Sequence, residues 1–328
     1  MVTLDKIAQA CNVSITTVSR VLNDDQTLNV SLETRKKVIE TANRLGYKKK
    51  KKTNNNSLHI GVVLWYDTKQ EIDDPYFMEI RHGIEKLSKE QDVYIMTIYR
   101  ENNVFNLDQI KNVDGIIAIG KFTEKEINAF ERITPAIVFV DSSPSKHKYD
   151  SVVIDYQDAV KQVLNYMIDN GYKNIGYLGA YEKINDTILF GERREQYFRQ
   201  YLEKKDLYNP SHVHIGEFTS LSGYSLMQNA IKDNKLADIY FCANDSIAIG
   251  ALKAIHEANI SIPKKIAIIG FNDIAQSQYV HPSLTTVKVE TSTMGEEALL
   301  SLIERIKNNN RIAIKKVIPT RFIKRQTT

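Results

Sequence analysis

Cysteine is scarce in this chain of 328 residues, and long apolar runs are missing. Cys11 and Cys242 lie in unrelated segments, which argues against a disulfide framework and is typical of a reducing compartment. No run approaches the roughly 18 apolar residues of a transmembrane helix, and the first residues lack the apolar core of a secretion signal. We therefore expect a cytoplasmic protein that makes no membrane contact.

Motifs typical of enzymes are missing as well. The sequence contains no GxGxxG, GxxxxGK(S/T), GxSxG or HExxH. His212 and His214 alternate along a predicted strand, but without a third ligand nearby they are more typical of a surface pair than of a metal site. Asp141 and Asp273 leave a glycosidase carboxylate pair as an alternative, against which the head described below argues. We expect no catalytic residue, no cofactor and no metal.

Positive charge is concentrated near the beginning of the chain. Residues 1–57 hold eleven lysines and arginines against five acidic residues, a net of +6, so the rest of the chain carries −2 of the total of +4. Five of these lysines are consecutive, Lys48 to Lys52. A small basic segment on a slightly acidic body predicts that the segment binds a polyanion.

Residues 3–47 have the pattern of three short helices. We predict helices over residues 4–11, 15–22 and 32–45, with Thr3, Ser14 and Ser31 as N-caps and Gly46 as the final stop. Apolar residues at helical spacing are expected to pack inward: Ile7, Ala8, Val18, Val21, Leu22, Val38, Ile39, Ala42 and Leu45. The tight turn between the first two helices predicts a helix-turn-helix, with a plain helical bundle as the alternative.

In a helix-turn-helix the second helix enters the major groove of DNA, with its first turn nearest the base edges. Ile15 and Thr16 lie in that turn and Arg20 shares the face of Thr16, so we expect these three side chains to read bases. Short polar and basic side chains are expected at the phosphates. They are Thr3, Ser14, Thr17, Ser19, Asn23, Lys48, Lys49 and Lys50.

From residue 58 onward, apolar strand candidates alternate with helix candidates. Runs such as IAIIGF and DGIIAIG are apolar nearly throughout, as a parallel sheet covered on both faces requires. Residues 58–328 are too many for one such sheet, so two lobes are predicted. We therefore predict an α/β protein with a three-helix helix-turn-helix head and doubly wound parallel sheets, which bind ligands beyond their strand carboxyl ends.

The segments LDKIAQACNVSITTVSRVLN and VSLETRKKVIETANRLGY resemble the DNA-binding head of the LacI/GalR family of bacterial repressors. The body resembles that family's sugar-sensing core, which is similar to periplasmic sugar-binding proteins, in DPYF, VFVDSS, GERREQYF, FCANDSIAIGALKAI, IAIIGFNDI and HPSLTTVK. The resemblance implies a two-lobed periplasmic-binding-protein-like core. It implies a head over residues 1–47, a linker over 48–57 and a core over 58–328, with a first lobe of about 58–157 and 288–315 and a second of about 158–287 and 316–328.

The resemblance also implies a sugar-binding cleft between the lobes. Carried over by position, the effector contacts fall on Asp141, Arg194, Phe218, Asn244 and Asn272, with Tyr76 and Phe77 as cleft walls. Such residues suit a sugar, because carboxylate, amide and guanidinium groups pair with hydroxyls while aromatic rings cover C–H faces. Four residues have structural roles as alternatives to ligand binding. Phe218 is then a core residue and Arg194 pairs with Glu192 or Glu195. Asp245 is then a helix cap, and Asp273 braces a loop.

We expect the effector to be a neutral sugar. Apart from Arg194 the predicted cleft is neutral to acidic, whereas a sugar phosphate would need converging donors or a glycine-rich loop. The chain has Asn272 where many relatives have aspartate, and FND and ERREQYF are most similar to galactose- and galactoside-responsive repressors of low-GC Gram-positive bacteria. The alternatives are a sugar-phosphate effector, a co-repressor or protein partner, and a free sugar-binding protein, which would need a secretion signal.

The linker departs from the family pattern. Family members form a hinge helix there, with a leucine that enters the minor groove, but KKKKKTNNNS follows Tyr47 and contains no apolar residue before Leu58. We predict an electrostatic tether to phosphates, with a merely soluble spacer as the alternative.

Since one head reads one half-site and no heptad tail follows RFIKRQTT, a homodimer on a pseudo-palindromic DNA operator is expected.

Overall fold

The computed structural model describes residues 3–22, 25, 28–45, 47, 57–184, 188–190, 192–308 and 311–328. Backbone contacts divide the chain into two units, Met1–Ser57 and Leu58–Thr328, which we call the head and the core. Several predicted residues lie outside the described ones: Asn23, Gly46 and the lysine run that includes Lys48, Lys49 and Lys50.

The head contains the three predicted helices, α1 (Leu4–Cys11), α2 (Ile15–Leu22) and α3 (Leu32–Arg44). Asn12, with a left-handed φ of 57°, ends α1 and starts the tight turn before α2. The apolar faces of the helices meet in a small core, which buries Ile7, Ala8, Cys11, Val18, Val21, Val38 and Ala42. The head therefore has the predicted helix-turn-helix packing.

Some details of the head differ from the prediction. Thr3 stands at the N-cap of α1 but its side chain makes no capping bond, whereas Ser31 Oγ accepts the predicted bond from the Thr34 amide at 3.1 Å. Ile39 and Leu45 are predicted inside but are 43% and 38% exposed. The partners α1 and α2 have eight residues each, so they cover only a narrow stripe of α3.

The core alternates helices and strands along the chain. Its helices are α4 (Thr68–Asp73), α5 (Tyr76–Glu90), α6 (Glu124–Glu131), α7 (Tyr156–Asp169), α8 (Arg193–Glu203), α9 (Ser220–Lys232), α10 (Asp245–Glu257) and α11 (Thr291–Lys307), with short 3-10 helices at Leu107–Ile110, Pro210–His212 and Ala275–Gln278. Its strands are β1 (His59–Leu64), β2 (Tyr94–Tyr99), β3 (Gly115–Ile119), β4 (Ile137–Val140), β5 (Asp150–Ile154), β6 (Ile175–Ala180), β7 (Glu182–Ile184), β8 (Ile188–Phe190), β9 (Val213–Gly216), β10 (Ile239–Cys242), β11 (Ala267–Ile269), β12 (Thr286–Val289), β13 (Lys315–Ile318) and β14 (Thr320–Ile323).

Two parallel sheets form the two lobes. The first has the strand order β13-β5-β4-β3-β1-β2 and the second the order β11-β10-β6-β9. Every residue of β3, β4 and β10 is buried, as expected for strands covered by helices on both faces. Because parallel strands end at one edge of their sheet, the segments that follow them are brought together there.

The end of the chain corrects the predicted lobe boundary. Residues 316–328 are predicted in the second lobe, but β13 pairs with β5 and forms an edge of the first sheet. The chain then crosses through β14, which pairs antiparallel with β12. Beyond that crossing, Thr327 exchanges hydrogen bonds with Ile268 of the second sheet. The second lobe therefore receives only the last few residues.

Candidate functional site

A cavity of about 570 Å³ is lined by residues that follow strands of both sheets. From the first lobe it is lined by Trp65, Tyr66, Asp67, Asp73, Asp74, Tyr76, Phe77, Arg100, Asn102, Asn103 and Asp141. Tyr156, at the predicted boundary between the lobes, also lines it, and from the second lobe it is lined by Tyr181, Glu182, Arg194, Glu217, Phe218, Thr219 and Asn272. The structure thus brings together the predicted contacts Tyr76, Phe77, Asp141, Arg194, Phe218 and Asn272, and leaves out Asn244.

Asp141, directly after β4, is a fixed hydrogen-bond acceptor in the cavity wall. It is buried and adopts a left-handed φ of 65°. The hydroxyls of Tyr76 and Tyr156 both donate to its Oδ1, at 3.1 and 2.7 Å. Burial and the charge of Asp141 raise the pKa of both phenols, so both stay protonated as donors. With Oδ1 engaged twice, Oδ2 is the oxygen that a ligand hydroxyl would meet.

Arg194 in the first turn of α8 is a fixed donor. Its Nε donates to Glu192 Oε1 at 2.6 Å and its Nη1 to the Ala243 carbonyl oxygen. Burial opposes ionisation of Glu192, yet the charge of Arg194 together with hydrogen bonds holds the pKa of that carboxyl below its usual range. The predicted pairing of these two residues is therefore present, but it is buried in the cavity wall instead of lying on the surface.

Aromatic rings surround the guanidinium of Arg194. Its central carbon lies 5.6 Å from the Tyr156 ring centroid, 5.5 Å from that of Phe218 and 5.1 Å from that of Phe271. Such contacts favour the charged guanidinium in a desolvated place. Phe218 is only partly buried and lines the cavity, so it is not simply a core residue.

Asn244, predicted as an effector contact, makes two hydrogen bonds within the protein. It is the N-cap of α10, where its Oδ1 accepts the Ile247 amide at 2.9 Å, and its Nδ2 donates to Asp74 Oδ2 at 2.8 Å. The alternative of Asp245 as that cap is wrong, because Asp245 is the first helical residue and its carboxylate points into the lobe. Asp273 pairs with Arg325 at 2.6 Å and so braces the end of the chain.

Several cavity residues escaped the sequence analysis. Trp65 and Tyr66 follow β1, Arg100 follows β2, and Tyr181 follows β6. The strand-end rule that identified Asp141 applies equally to these positions. The ends of β1 and β2 lie outside the segments that carry the family resemblance, so only the strand-end rule could have found Trp65, Tyr66 and Arg100.

Carboxylates outnumber cations around the cavity. Among the described lining residues, the acidic ones are Asp67, Asp73, Asp74, Asp141, Glu182 and Glu217, and the arginines are Arg100 and Arg194. Arg100 already pairs with Glu126 at 2.7 Å, as Arg194 does with Glu192. Such a wall repels a phosphate but offers acceptors to hydroxyl groups.

Polar contacts join the two lobes beside the cavity. Lys121, after β3, forms an ion pair with Glu182, after β6. Ser246 Oγ donates to the Asp73 carbonyl oxygen at 2.8 Å, next to the bond between Asn244 and Asp74. Burial raises the pKa of Glu182 despite the opposing charge of Lys121. A change in the angle between the lobes would have to break or reform these contacts.

In the head, the start of α2 is open to solvent, as base reading requires. Ile15 is 48% exposed and Thr16 is exposed as well. Ser14 Oγ accepts the Thr17 amide at 3.0 Å, so Ser14 caps α2 as predicted. Arg20 is partly exposed, and its Nε donates to Asp25 Oδ2 at 2.7 Å, a pairing that was not predicted.

The described residues that were predicted at phosphates differ in their exposure. Thr3 and Ser14 are exposed, whereas Thr17 and Ser19 are partly buried. Thr17 Oγ1 lies 2.9 Å from Ser14 Oγ, so the two hydroxyls share one hydrogen bond. A phosphate oxygen would meet Ser14 most directly, at the amino end of α2.

The described part of the chain contains neither a candidate metal site nor a candidate membrane span. No group of three or more His, Cys, Asp or Glu side chains there could hold a metal ion. His212 and His214 are partly buried instead of forming a surface pair, and burial lowers the pKa of both. No helix among the described residues is long and apolar enough to cross a membrane.

A helix-turn-helix head followed by a two-lobed core, whose cavity offers hydrogen-bond acceptors to hydroxyl groups, defines a ligand-responsive DNA-binding regulator. The family model for bacterial regulatory proteins of the lacI family matches residues 3–50, and a periplasmic binding protein-like domain matches residues 164–328. The chain is 36% identical over 333 residues to the HTH-type transcriptional regulator GalR of Streptococcus thermophilus, covering 100% of both. It is 37% identical over 342 residues to the transcriptional repressor MelR of Bacillus subtilis (strain 168), covering 100% of this chain and 97% of MelR. The chain therefore belongs to the LacI family of bacterial regulatory proteins.

Solved structures share the fold. A lac repressor dimer bound to operator and the anti-inducer ONPF aligns with a TM-score of 0.75 and 22% identity, over 100% of this chain and 99% of that one. A complex of the transcriptional regulator CelR with cellobiose aligns with a TM-score of 0.72 and 22% identity, over 100% of both chains. The predicted fold class, a helix-turn-helix head with a periplasmic-binding-protein-like α/β core, is confirmed.

Proposed function

We propose that this protein represses a carbohydrate-utilisation operon and leaves its operator when galactose or a galactoside binds in the cavity. The observation that carries the proposal is the cavity chemistry: a carboxylate and a guanidinium, Asp141 and Arg194, fixed by buried partners in a wall with excess acceptors. The names of GalR and MelR, a regulator and a repressor of transcription, support the regulatory role. The cellobiose complex of CelR supports a sugar as the effector.

Each predicted cavity residue has a distinct task in this proposal. Asp141 accepts a sugar hydroxyl through Oδ2, Arg194 donates to a second, and the Asn272 amide both donates and accepts. The rings of Phe218 and Phe77 cover C–H faces of the sugar. Asn244 acts through Asp74 and the N-cap of α10, and does not touch the ligand.

In this proposal, α2 contacts the DNA bases. Ile15 meets a thymine methyl group, Thr16 a base edge, and Arg20 donates two hydrogen bonds to a guanine. To do so, Arg20 has to leave Asp25, an exchange that costs little because the ion pair is partly exposed. The predicted phosphate contacts position the helix and carry no sequence information themselves.

Release follows from a shift between two arrangements of the lobes. The sugar favours the arrangement in which it touches both lobes, and it can shift the equilibrium only by its difference in affinity for the two. The contacts beside the cavity, such as the ion pair of Lys121 with Glu182, would differ between them. In a cytoplasmic homodimer on a pseudo-palindrome, this shift changes how two heads fit two half-sites. The sugar leaves unchanged, so the role needs no catalytic residue.

Fluorescence anisotropy tests the proposal. The purified protein is titrated onto DNA from upstream of its own operon at about physiological salt, with galactose, lactose, melibiose and glucose 6-phosphate added in turn. We expect release by galactose or a galactoside, and an at least tenfold higher effector requirement in Asp141→Asn. Binding that no sugar weakens, or that a ligand strengthens, would overturn the inducer role and point to a co-repressor.

A further inference from the structure

We propose that the cavity contains an outer subsite for a second sugar ring, built on Trp65, so that the effector is a disaccharide or a larger glycoside. This inference rests on the sugar-responsive function proposed above and names the substrate class of the same cavity. The inner subsite is the region of Asp141 and Arg194. The outer subsite consists of Trp65, Tyr66, Phe77, Asn102 and Asn103.

The order of strands separates the two subsites. Asp141 follows β4, Trp65 follows β1 and Asn102 follows β2, in a sheet ordered β4-β3-β1-β2. With neighbouring strands about 4.8 Å apart, Trp65 lies roughly 10 Å from Asp141 along the sheet and Asn102 roughly 14 Å. A single pyranose ring bound to Asp141 leaves that end of the cavity uncovered. The volume of about 570 Å³ also lies well inside the range of pockets that enclose multi-ring ligands.

The indole of Trp65 is held as a rigid platform. Its backbone amide donates to the Ile119 carbonyl oxygen at 3.2 Å, and its own carbonyl oxygen accepts Nε of Arg100 at 2.7 Å. A Cβ atom on Gly120, which has a φ of 101°, would lie only 2.1 Å from the indole Cδ1. The ring therefore fills the space that this glycine leaves open. A ring fixed before binding loses little side-chain entropy when a sugar stacks on it.

Two buried polar atoms belong to the wall of the outer subsite. Among the described residues, neither Nε1 of Trp65 nor the hydroxyl of Tyr66 has a hydrogen-bond partner, although both atoms are buried. Tyr66 stacks on Phe77 at 4.7 Å between centroids and is itself almost fully buried. Both atoms are shielded by protein, and Nε1 of Trp65 lies against Gly120, so neither atom is a ligand contact in this arrangement. The group that a sugar can reach is the partly exposed indole of Trp65. A sugar supplies hydroxyls and, on its C–H face, a surface for the indole.

Asn102 and Asn103 complete the subsite with amides that donate and accept. They occupy the turn after β2 with left-handed φ values of 48° and 65°. Both line the cavity, whereas Asn106 in the same loop, which is exposed as they are, lies outside it. Paired amides of this kind match the vicinal hydroxyls of a sugar ring. Within the described part of the chain, the cavity lining contains six carboxylates against two arginines, which again favours a neutral glycoside over a phosphorylated one.

Trp65 is the chain's single tryptophan, so tryptophan emission reports on the surroundings of this one ring, which include Lys121 with its Nζ 5.8 Å from the ring centroid. We would titrate the full-length protein with galactose, melibiose, lactose and raffinose while following tryptophan emission and, in parallel, binding heat. We expect at least one two-ring or three-ring galactoside to bind at least tenfold more tightly than galactose and to change the emission. Galactose should release heat and change the emission less than that galactoside does.

Matched variants separate the loss of stacking on Trp65 from a general loss of folding. We expect Trp65→Ala to reduce the ratio of galactoside affinity to galactose affinity at least tenfold, and Trp65→Phe to restore part of it. Asn103→Gly keeps the left-handed backbone accessible and should reduce the same ratio several-fold, whereas Asn106→Gly should not change it. Operator binding without sugar, measured for every variant, shows that the chain is folded.

Several results would overturn the outer subsite while leaving the sugar-responsive role intact. They are equal affinities for galactose and all galactosides, an unaltered affinity ratio in Trp65→Ala, or equal emission changes with galactose. If instead no sugar binds, the proposed function fails and the subsite fails with it. Binding of galactose, and its weakening in Asp141→Asn, therefore tells the two failures apart.

Discussion

Asn244 of the second lobe donates a hydrogen bond of 2.8 Å from Nδ2 to Oδ2 of Asp74 in the first lobe. Its Oδ1 accepts the Ile247 amide at 2.9 Å and so caps α10. Both polar atoms of one side chain are therefore engaged, one in a helix end and one in a contact between lobes. This arrangement explains why a position implied as an effector contact lies outside the cavity lining.

The first prediction concerns this double role. Asn244→Ala removes both bonds, and we expect the free energy of unfolding to fall by about 2–3 kcal/mol, from the lost cap and the buried acceptor left on Asp74. Asn244→Ser keeps a capping oxygen but is too short to reach Asp74, so about 1 kcal/mol of the loss should return. Denaturant unfolding measures both. If both variants were as stable as the wild type but bound sugar poorly, Asn244 would be a ligand contact after all.

The second prediction concerns pH and Asp245. This buried carboxylate accepts Thr286 Oγ1 at 2.6 Å, Ser277 Oγ at 2.7 Å and the Ile274 amide at 2.9 Å. Burial outweighs these bonds and raises its pKa to about 7. The pKa of Asp245 is higher in the folded state than in the unfolded state, so protonation of Asp245 at low pH stabilises the folded state. That contribution, about 4 kcal/mol for a shift of about three units, is lost as pH rises from about 4 to about 7.

Asp245→Asn removes this titration. We expect the unfolding free energy of the wild type minus that of the variant to be larger at pH 5 than at pH 7. Above about pH 8 this difference should stay constant. Urea unfolding across that range provides the values. Asp169→Asn, which changes an exposed carboxylate at the end of α7, serves as the control and should show no such trend. A constant difference across the range would rule out a titrating Asp245.

The sequence predicts local structure and strand ends better than it predicts pairings between distant residues. The alternation of apolar runs is enough to place β3 and β4, because a parallel sheet buries every side chain of such strands. Asp141 could be found because it directly follows one of them. The contact of Arg305 with Asp150, 155 residues away, depends on how α11 packs, and no local pattern encodes it.

Whether an apolar residue of a helix is buried also depends on packing, which the helical pattern alone does not determine. Ile39 lies on the same apolar stripe of α3 as Val38 and Ala42, yet only those two meet the other helices. The outer end of the cavity shows the same limit. That Trp65 lies against Gly120 follows from the pairing of β1 with β3, which the order of elements along the chain does not reveal.

The third prediction concerns Arg20 and Asp25 in the head. Arg20→Ala should lower operator affinity roughly ten- to a hundredfold, as expected for the loss of a bidentate guanine contact. Asp25→Asn removes the ion-pair partner, so we expect operator affinity to rise up to about fivefold, because a partly exposed pair is worth at most about 1 kcal/mol. Anisotropy with operator and scrambled DNA at one salt concentration compares the variants. Equal losses on both DNAs for Arg20→Ala would make Arg20 a phosphate contact.

The fourth prediction concerns the lysines from Lys48 to Lys52, which follow the three helices of the head in sequence. Each phosphate that a lysine neutralises releases about 0.9 counterion, so the slope of log affinity against log salt counts these contacts. We expect replacement of all five by serine to make the slope less negative by about 2–4 and to weaken operator and scrambled DNA alike. Replacing Lys204 and Lys205, exposed lysines at the end of α8, controls for the loss of charge itself. An unchanged slope would mean that the run is only a soluble spacer.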